Sequence, residues 1–158
     1  AIEGYCVGGA CALALACDFR IMAAGAMMRL PEVPLGMNMS WGTLPRLVAL
    51  IGPARAKAFA LFGEPAHVSE CLAWGLADRS AEQGEALTEA RQWAERVAAL
   101  PPLPARMTKE AINASANALS AAASFMDRDQ FLLTSLTDDF GEGVAAFLEK
   151  RAGRFRGD

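Results

Sequence analysis

The spacing of hydrophobic and polar positions changes several times along this chain, and each change marks an element. Residues 1–7 form an apolar run that reads as a strand covered on both faces. A Gly8-Gly9 pair follows, then Ala10-Cys11-Ala12-Leu13-Ala14-Leu15-Ala16-Cys17. That small-residue run has little amphipathicity and predicts a helix over 10–17 buried on most sides. Residues 18–23 predict a second strand and 27–33 a third, separated near Gly25. Pro31 and Pro34 confine the end of the third strand to an edge or an exit loop. Strand, helix, strand, strand is the rhythm of an α/β core whose sheet faces are covered.

After Gly36 a loop over 37–42 leads into a helix carrying Leu44, Leu47, Val48 and Ile51. Gly52-Pro53 stops it, and Pro53 suits the first turn of the next helix, 54–62, which ends at Gly63. Ser69 with Glu70 opens a short helix that closes at Gly75, and 76–79 reads as a short strand. Residues 84–100 predict a long amphipathic helix with Leu87, Ala90, Trp93, Ala94 and Val97 on one face. Pro101-Pro102-Leu103-Pro104 is the clearest boundary, dividing 1–100 from a helical region, 101–158. That region reads as helices over 105–119, 123–135 and 138–150, the last capped at Thr137/Asp138 and striped with Val144, Phe147 and Leu148. Its apolar faces exceed what three short helices bury among themselves, so docking or oligomerisation is expected.

Composition narrows the picture. The chain has 158 residues, 53% hydrophobic and 21% charged, which fits one globular domain or a core with a small appendage. Apolar runs are short and interrupted, so no transmembrane helix is expected. A net charge of -3 and a pI near 5.2 argue against nucleic acid as the main partner. Cys6, Cys11, Cys17 and Cys71 have no CxxC spacing; the first three sit among Ala and Leu, where a thiol serves as a small hydrophobe. Reduced thiols in a cytosol are the natural reading. The chain lacks an initiator Met and begins inside what reads as a buried strand, so the numbering is expected to start partway through a larger protein.

Candidate chemistry concentrates at the Gly8-Gly9 junction. A strand–Gly-Gly–helix turn points free backbone N–H groups, at the positive end of a helix dipole, towards one spot. Two glycines let a ligand approach the main chain. A tight turn with close strand–helix packing explains the same residues. Glu32, within Leu30-Pro31-Glu32-Val33-Pro34-Leu35-Gly36, is a carboxylate with apolar neighbours on both sides. Desolvation there raises a carboxyl towards the range of a general acid or base; a solvent-facing Glu at a strand end fits the spacing equally well. Arg29 faces away from Glu32 in an extended segment. Asp18 and Arg20 share a strand face and suggest a structural ion pair. His67 is the single histidine and sits in a polar loop, which argues against a Ser-His-Asp triad. Neither a Walker A lysine nor GxGxxG is present, and no His/Cys/Asp cluster has metal-ligand spacing. The basic tail, Lys150, Arg151, Arg154 and Arg156, either grips phosphates or complements a helix C-terminus.

Several motifs in order carry a family resemblance. Gly4-Tyr5-Cys6-Val7-Gly8-Gly9-Ala10-Cys11-Ala12-Leu13-Ala14-Leu15-Ala16-Cys17-Asp18-Phe19-Arg20-Ile21 resembles the crotonase signature of enoyl-CoA hydratases and isomerases, and the LPEVPLG stretch is similar to that family's next motif. PPLPARMTKEAIN and EGVAAFLEKRAGRF resemble its C-terminal helical segments. The resemblance implies the C-terminal part of a ββα-spiral core followed by a helical trimerisation region, giving a trimer or hexamer in the cytoplasm. It implies acyl-CoA thioester substrates, with coenzyme A entering as part of the substrate and no separate cofactor, metal, membrane or nucleic-acid partner. It further implies Glu32 as acid/base and the Gly9 N–H as one oxyanion donor, the second donor lying on an upstream segment. Tyr5, Val7, Gly8, Pro31, Leu35 and Trp41 are then expected to line the substrate site, with Met39 and Trp41 either shaping the acyl pocket or packing. Hydratases of the family carry a second glutamate where this chain has Ala12, which favours isomerase-type chemistry. A non-catalytic acyl-CoA-binding or assembly protein is the alternative.

Overall fold

The computed structural model describes residues 1–118, 120–124 and 127–158. Its first strand, β1 (Tyr5–Val7), runs into helix α1 (Gly9–Ala16), and strands β2 (Ile21–Ala23) and β3 (Met27–Arg29) follow. A 3-10 turn, Val33–Leu35, precedes the long helix α2 (Thr43–Phe62). Strand β4 (Ala66–His67), helix α3 (Val68–Trp74), strand β5 (Arg79–Ala81) and helix α4 (Ala86–Ala98) complete the first part. Helices α5 (Pro102–Ala116), α6 (Ser120–Ser124), α7 (Asp127–Ser135) and α8 (Asp138–Leu148) form the second.

The strands make two small sheets. β1 pairs parallel with β3 (Cys6 opposite Met28), and β3 pairs antiparallel with β4 (Met28 opposite Ala66). β2 pairs parallel with β5, Met22 opposite Ser80. The N-terminal segment links both sheets: Ile2 bridges to Met22, its N–H donating to the Ile21 carbonyl at 2.8 Å, before the chain turns into β1. Met22, Met28, Leu30, Leu47, Leu76, Cys11 and Cys71 are fully buried where these strands meet α1, α2 and α3. A smaller cluster, Ile21, Ala23 and Ala86, packs with Ala90 and Trp93, whose ring takes Phe19 edge-on at 5.2 Å between centroids.

Several expectations shift. The third strand stops at Arg29 instead of reaching residue 33, because Glu32 adopts helical angles (φ -61, ψ -47) and Pro31 and Pro34 have no N–H for a ladder. The last strand lies at Arg79–Ala81 rather than 76–79: the Ala77 and Asp78 amides are committed to the Cys71 and Arg20 carbonyls before pairing begins. Strand β4 falls in a stretch that reads as a polar loop, and α3 is capped at His67, whose N–H donates to the Glu70 carboxylate at 3.1 Å. Helix α1 is buried on one side only; Leu13 is 70% exposed, and Cys17 is exposed while the other three cysteines are buried. The break at Gly52-Pro53 is present as a kink, Gly52 leaving helical geometry at φ 75, ψ 164.

The faces that pack are also not always the ones with the largest side chains. In α4, Ala86, Ala90 and Trp93 face the core while Leu87 and Val97 are exposed. In α8, Gly143 and Ala146 are buried and Val144, Phe147 and Leu148 are exposed. The Thr137 hydroxyl caps α8 by accepting from the Phe140 amide at 3.2 Å. Leu119, Phe125 and Met126, on which the predicted helices 105–119 and 123–135 partly fall, lie outside the described residues. Among the described residues no helix is long and apolar enough to cross a membrane.

Asp18 and Arg20 do not pair with each other. Asp18 takes Lys109 of α5, whereas Arg20, 4% exposed, turns inward. Its guanidinium donates to the Leu76 carbonyl at 2.7 Å and the Cys17 carbonyl at 2.8 Å and lies 3.3 Å from Asp78. It therefore ties the end of α1 to the segment entering β5. In the tail, Arg151 pairs with Glu142 and Glu149, while the Arg156 and Gly157 amides donate to the Asp139 carboxylate.

Removing a buried cation with three partners strands two carbonyls and a carboxylate. Arg20→Met is expected to lower unfolding free energy by about 3 kcal/mol. Asp78→Asn, which leaves the buried cation without its counter-charge, is expected to cost a similar amount, both read from urea unfolding.

Candidate active site

The Gly8-Gly9 junction is the point at which the sheet hands over to α1. The Gly8 amide donates to the Arg29 carbonyl at 2.9 Å, continuing the β1–β3 ladder, and its carbonyl accepts from the Ala12 amide at 3.0 Å as the first helical bond. Between these two commitments the chain turns through φ 57, ψ -118 at Gly8, a geometry that favours glycine. The Gly9 amide lies in the first turn of α1 and has no protein acceptor among the described residues.

Both glycines are pressed by side chains from other elements. A Cβ on Gly8 would lie 2.8 Å from Glu32 Oε1, and one on Gly9 would lie 2.8 Å from Trp41 Cζ3 and 3.1 Å from Cη2. The carboxylate and the indole thus flank the peptide that carries the Gly9 N–H.

Glu32 precedes the Val33–Leu35 turn, and its carbonyl accepts from the Leu35 amide at 3.0 Å and the Met37 amide at 2.9 Å. Its Oε2 is buried without a hydrogen-bond partner among the described residues. Burial raises its carboxyl above the ordinary glutamate range, against a smaller opposing effect of its own backbone amide. Cys11 of α1 stands nearby: its thiol is pushed well up by a hydrogen bond with Cys6, by burial, and in lesser part by the Glu32 charge.

Two sets of contacts hold this arrangement. Just past the end of α2, Gly63 (φ 61) is so close that a Cβ there would lie 2.8 Å from Pro34 Cγ and 3.2 Å from Pro31 Cα, and its carbonyl accepts from Arg29 Nε. Arg29 is therefore engaged away from Glu32. From the C-terminal helices, the Thr134 hydroxyl accepts the Asn38 amide at 3.0 Å, Gln130 accepts from the Asn38 side chain at 3.0 Å, and Asp127 accepts the Gly42 amide at 3.2 Å. Asp127, Gln130 and Thr134 lie on one face of α7 at helical spacing. They brace the loop in which Trp41 sits at φ 62, left-handed for a bulky aromatic. Arg46 of α2 donates to the Trp41 carbonyl at 3.1 Å.

Of the residues singled out by sequence, Gly8, Gly9, Glu32 and Trp41 come together. Trp41 is 65% exposed with its ring against Gly9, whereas Met39 is 3% exposed and belongs to the core. Pro31 and Leu35 lie on the segment that carries Glu32, Val7 is half-buried opposite Arg29, and Tyr5 is 87% exposed at the far end of β1. Ala12 is 5% exposed and packs in the core behind the junction. Sequence reasoning did not reach Asp127, Gln130, Thr134 or Gly143, and it found Gly63 only as a helix stop. The glycine at 143, among the apolar positions of an amphipathic helix, was the one local sign of a close approach.

Known proteins identify the family. All of residues 1–158 match the family model described as enoyl-CoA hydratase/isomerase, and the chain belongs to that family. A crotonyl-CoA hydratase from Syntrophomonas wolfei is 36% identical over 155 residues, 98% of this chain and 60% of that protein. A 2,3-dehydroadipyl-CoA hydratase from Escherichia coli is 32% identical, over 99% of this chain and 62% of that protein. The crystal structure of an enoyl-CoA hydratase from Mycobacterium avium subsp. paratuberculosis superposes with a TM-score of 0.90 at 29% identity, covering 97% of this chain and 62% of that one. The fold is that of crotonase-type enzymes, and the chain spans about three fifths of the length of these relatives.

A carboxyl whose pKa is raised in the folded state binds its proton more tightly there than when unfolded. Glu32 accordingly costs stability as pH climbs from the unfolded glutamate value through the raised one. Glu32→Gln removes that cost, so it is expected to raise Tm at pH 7 while matching the parent in acid, below the unfolded value. Melting curves across pH 4 to 8 test this; a lower Tm for the variant at pH 7 would count against a desolvated carboxylate.

Proposed function

We propose that the full-length protein processes an acyl-CoA thioester through its enolate, with Glu32 as the acid/base and the Gly9 N–H as one oxyanion donor. The observation that supports this most directly is the placement of the Glu32 carboxylate, one oxygen of which is buried without a partner, against the Gly8-Gly9 peptide that carries the unpartnered Gly9 amide. A thioester carbonyl oxygen bound at the Gly9 N–H brings the carbon beside it towards Glu32. Glu32 takes a proton from that carbon, the electron pair moves onto the oxygen, and the fixed donor at the end of α1 stabilises the charge. With its carboxyl raised by burial, Glu32 holds the proton and returns it. By the family resemblance a second donor comes from a segment upstream of this chain, and coenzyme A is part of the substrate rather than a separate cofactor.

The preferred reaction is double-bond isomerisation. Glu32 removes a proton from C2 of a 3-enoyl-CoA and delivers one to C4, leaving the double bond between C2 and C3. One carboxylate serves both ends of that shift, whereas hydration asks for a group to position water, and the family's second glutamate is Ala12 here. A hydratase is the second reading, favoured by the names of the similar proteins. Trp41, with its ring against Gly9, would form a wall for the acyl group.

The exposed apolar residues of the C-terminal helices, among them Leu132, Leu133, Leu136, Phe147 and Leu148, support an oligomer such as a trimer or hexamer.

Turnover of 3-enoyl- and 2-enoyl-CoA by the full-length enzyme and its Glu32→Gln variant tests the assignment. The variant is expected to lose about 10²–10⁴-fold on the preferred substrate. Faster turnover of the 3-enoyl substrate supports isomerisation, faster hydration of the 2-enoyl substrate favours the second reading, and no turnover of either favours a non-catalytic acyl-CoA binder.

A further inference from the structure

Helix α8 meets the Glu32 segment backbone to backbone. Gly143 is buried in the middle of this helix, and a Cβ there would lie 2.5 Å from the Leu35 carbonyl carbon and 3.0 Å from Leu35 Cα. One turn earlier in α8 the approach comes from the other side: a Cβ on Gly36 (φ 77) would lie 2.6 Å from the Asp139 carbonyl oxygen and 2.9 Å from Phe140 Cα. The same helix holds a second glycine, Gly141, which is exposed and has nothing within 4 Å of its Cβ position. A glycine inside a helix weakens it relative to alanine. At 141 no contact accounts for that cost, whereas at 143 the missing side chain is what admits Leu35.

The contacted segment starts at Glu32 and is a single stiff unit. Its amides are bonded internally, Leu35 to the Glu32 carbonyl and Gly36 to the Val33 carbonyl, and Pro34 stiffens its centre. Gly63, just past the end of α2, presses it at Pro31 and Pro34, so the turn is gripped between two glycines, one capping α2 and one inside α8. Displacement at Leu35 is therefore transmitted to Glu32.

We propose that Gly143 is a positioning residue for the proposed acid/base, its lack of a side chain letting α8 seat the Val33–Leu35 turn so that the Glu32 carboxylate stands against Gly8, beside the Gly9 amide. This rests on the reading of Glu32 as the acid/base. The ionisable groups around the turn are Cys11 from α1, Arg29 from β3, and Asp139 and Glu142 from α8. Arg29 is engaged by the Gly63 carbonyl, Asp139 by the Arg156 and Gly157 amides, and Glu142 by Arg151, and the substitutions below alter none of them.

The experiment compares Gly143→Ala with Gly141→Ala in the full-length enzyme. Gly143→Ala is expected to lower kcat by up to about 10²-fold, the scale of an ångström-sized misplacement, with little change in KM. It should also move the acid limb of the rate profile to lower pH, because a displaced turn opens the carboxylate to water. Gly141→Ala is expected to leave kcat and the profile unchanged. Equal losses in both variants, or an unchanged kcat and profile in Gly143→Ala, would overturn the proposal. Where Gly143→Ala does not fold, Ala146→Gly slackens the same buried face of α8; a smaller loss with the same pH shift supports the proposal, and unaltered kinetics overturn it. A fully active Glu32→Gln would instead remove the reading of Glu32, whatever the glycine variants do.

Discussion

The peptide between Gly8 and Gly9 has no room for a side chain on either residue, and much of the structure is arranged around that exclusion. On one side stands the Glu32 carboxylate and on the other the Trp41 ring, each 2.8 Å from where a Cβ would begin. The peptide itself is anchored at both ends. Its Gly8 end is fixed in the β1–β3 ladder through the Arg29 carbonyl, and its Gly9 end is fixed as the first turn of α1. The result is a backbone amide held at a helix terminus with a carboxylate and an indole ring beside it, and fixed donors of this kind favour negative charge on a bound oxygen.

That arrangement is costly to folding, which is characteristic of a functional site. A buried carboxylate oxygen without a partner destabilises the folded chain, and an aromatic residue at a left-handed φ adds strain. Both are sustained by well-satisfied neighbours. Arg20 shows the contrast: its buried guanidinium finds two carbonyls and a carboxylate, so its burial is matched by partners that tie the fold together.

The C-terminal helices have a double role in this frame. Their inner faces are polar or small, with Asp127, Gln130 and Thr134 bonding the Trp41 loop and Gly143 admitting Leu35. Many of their large apolar side chains, Leu132, Leu133, Leu136, Phe147 and Leu148 among them, are exposed. The helices that back the site are thus the same ones that offer unburied surface, so whatever covers that surface acts on elements in direct contact with the site.

Local sequence determined a good part of this. The Gly8-Gly9 turn, the helix break at Gly52-Pro53 and the Thr137 cap follow from residue types whose backbone preferences are strong and local. So does the suspicion attached to Glu32, a carboxylate set among Leu, Pro and Val, although whether that residue faced solvent or a site was undecidable from its neighbours. Tertiary packing decided that question by placing Oε1 against Gly8 and burying Oε2. It also decided which helix faces are inward. Side-chain size pointed to Leu87 and Val97 in α4 and to Phe147 in α8, but packing buried Ala86 in the one, and a close backbone approach buried Gly143 in the other. The partners of Arg20 and the bracing of the Trp41 loop by α7 join residues far apart in the chain, and no local pattern encodes such pairs. Sequence could name the glycines and the carboxylate; only the fold could bring them to one peptide.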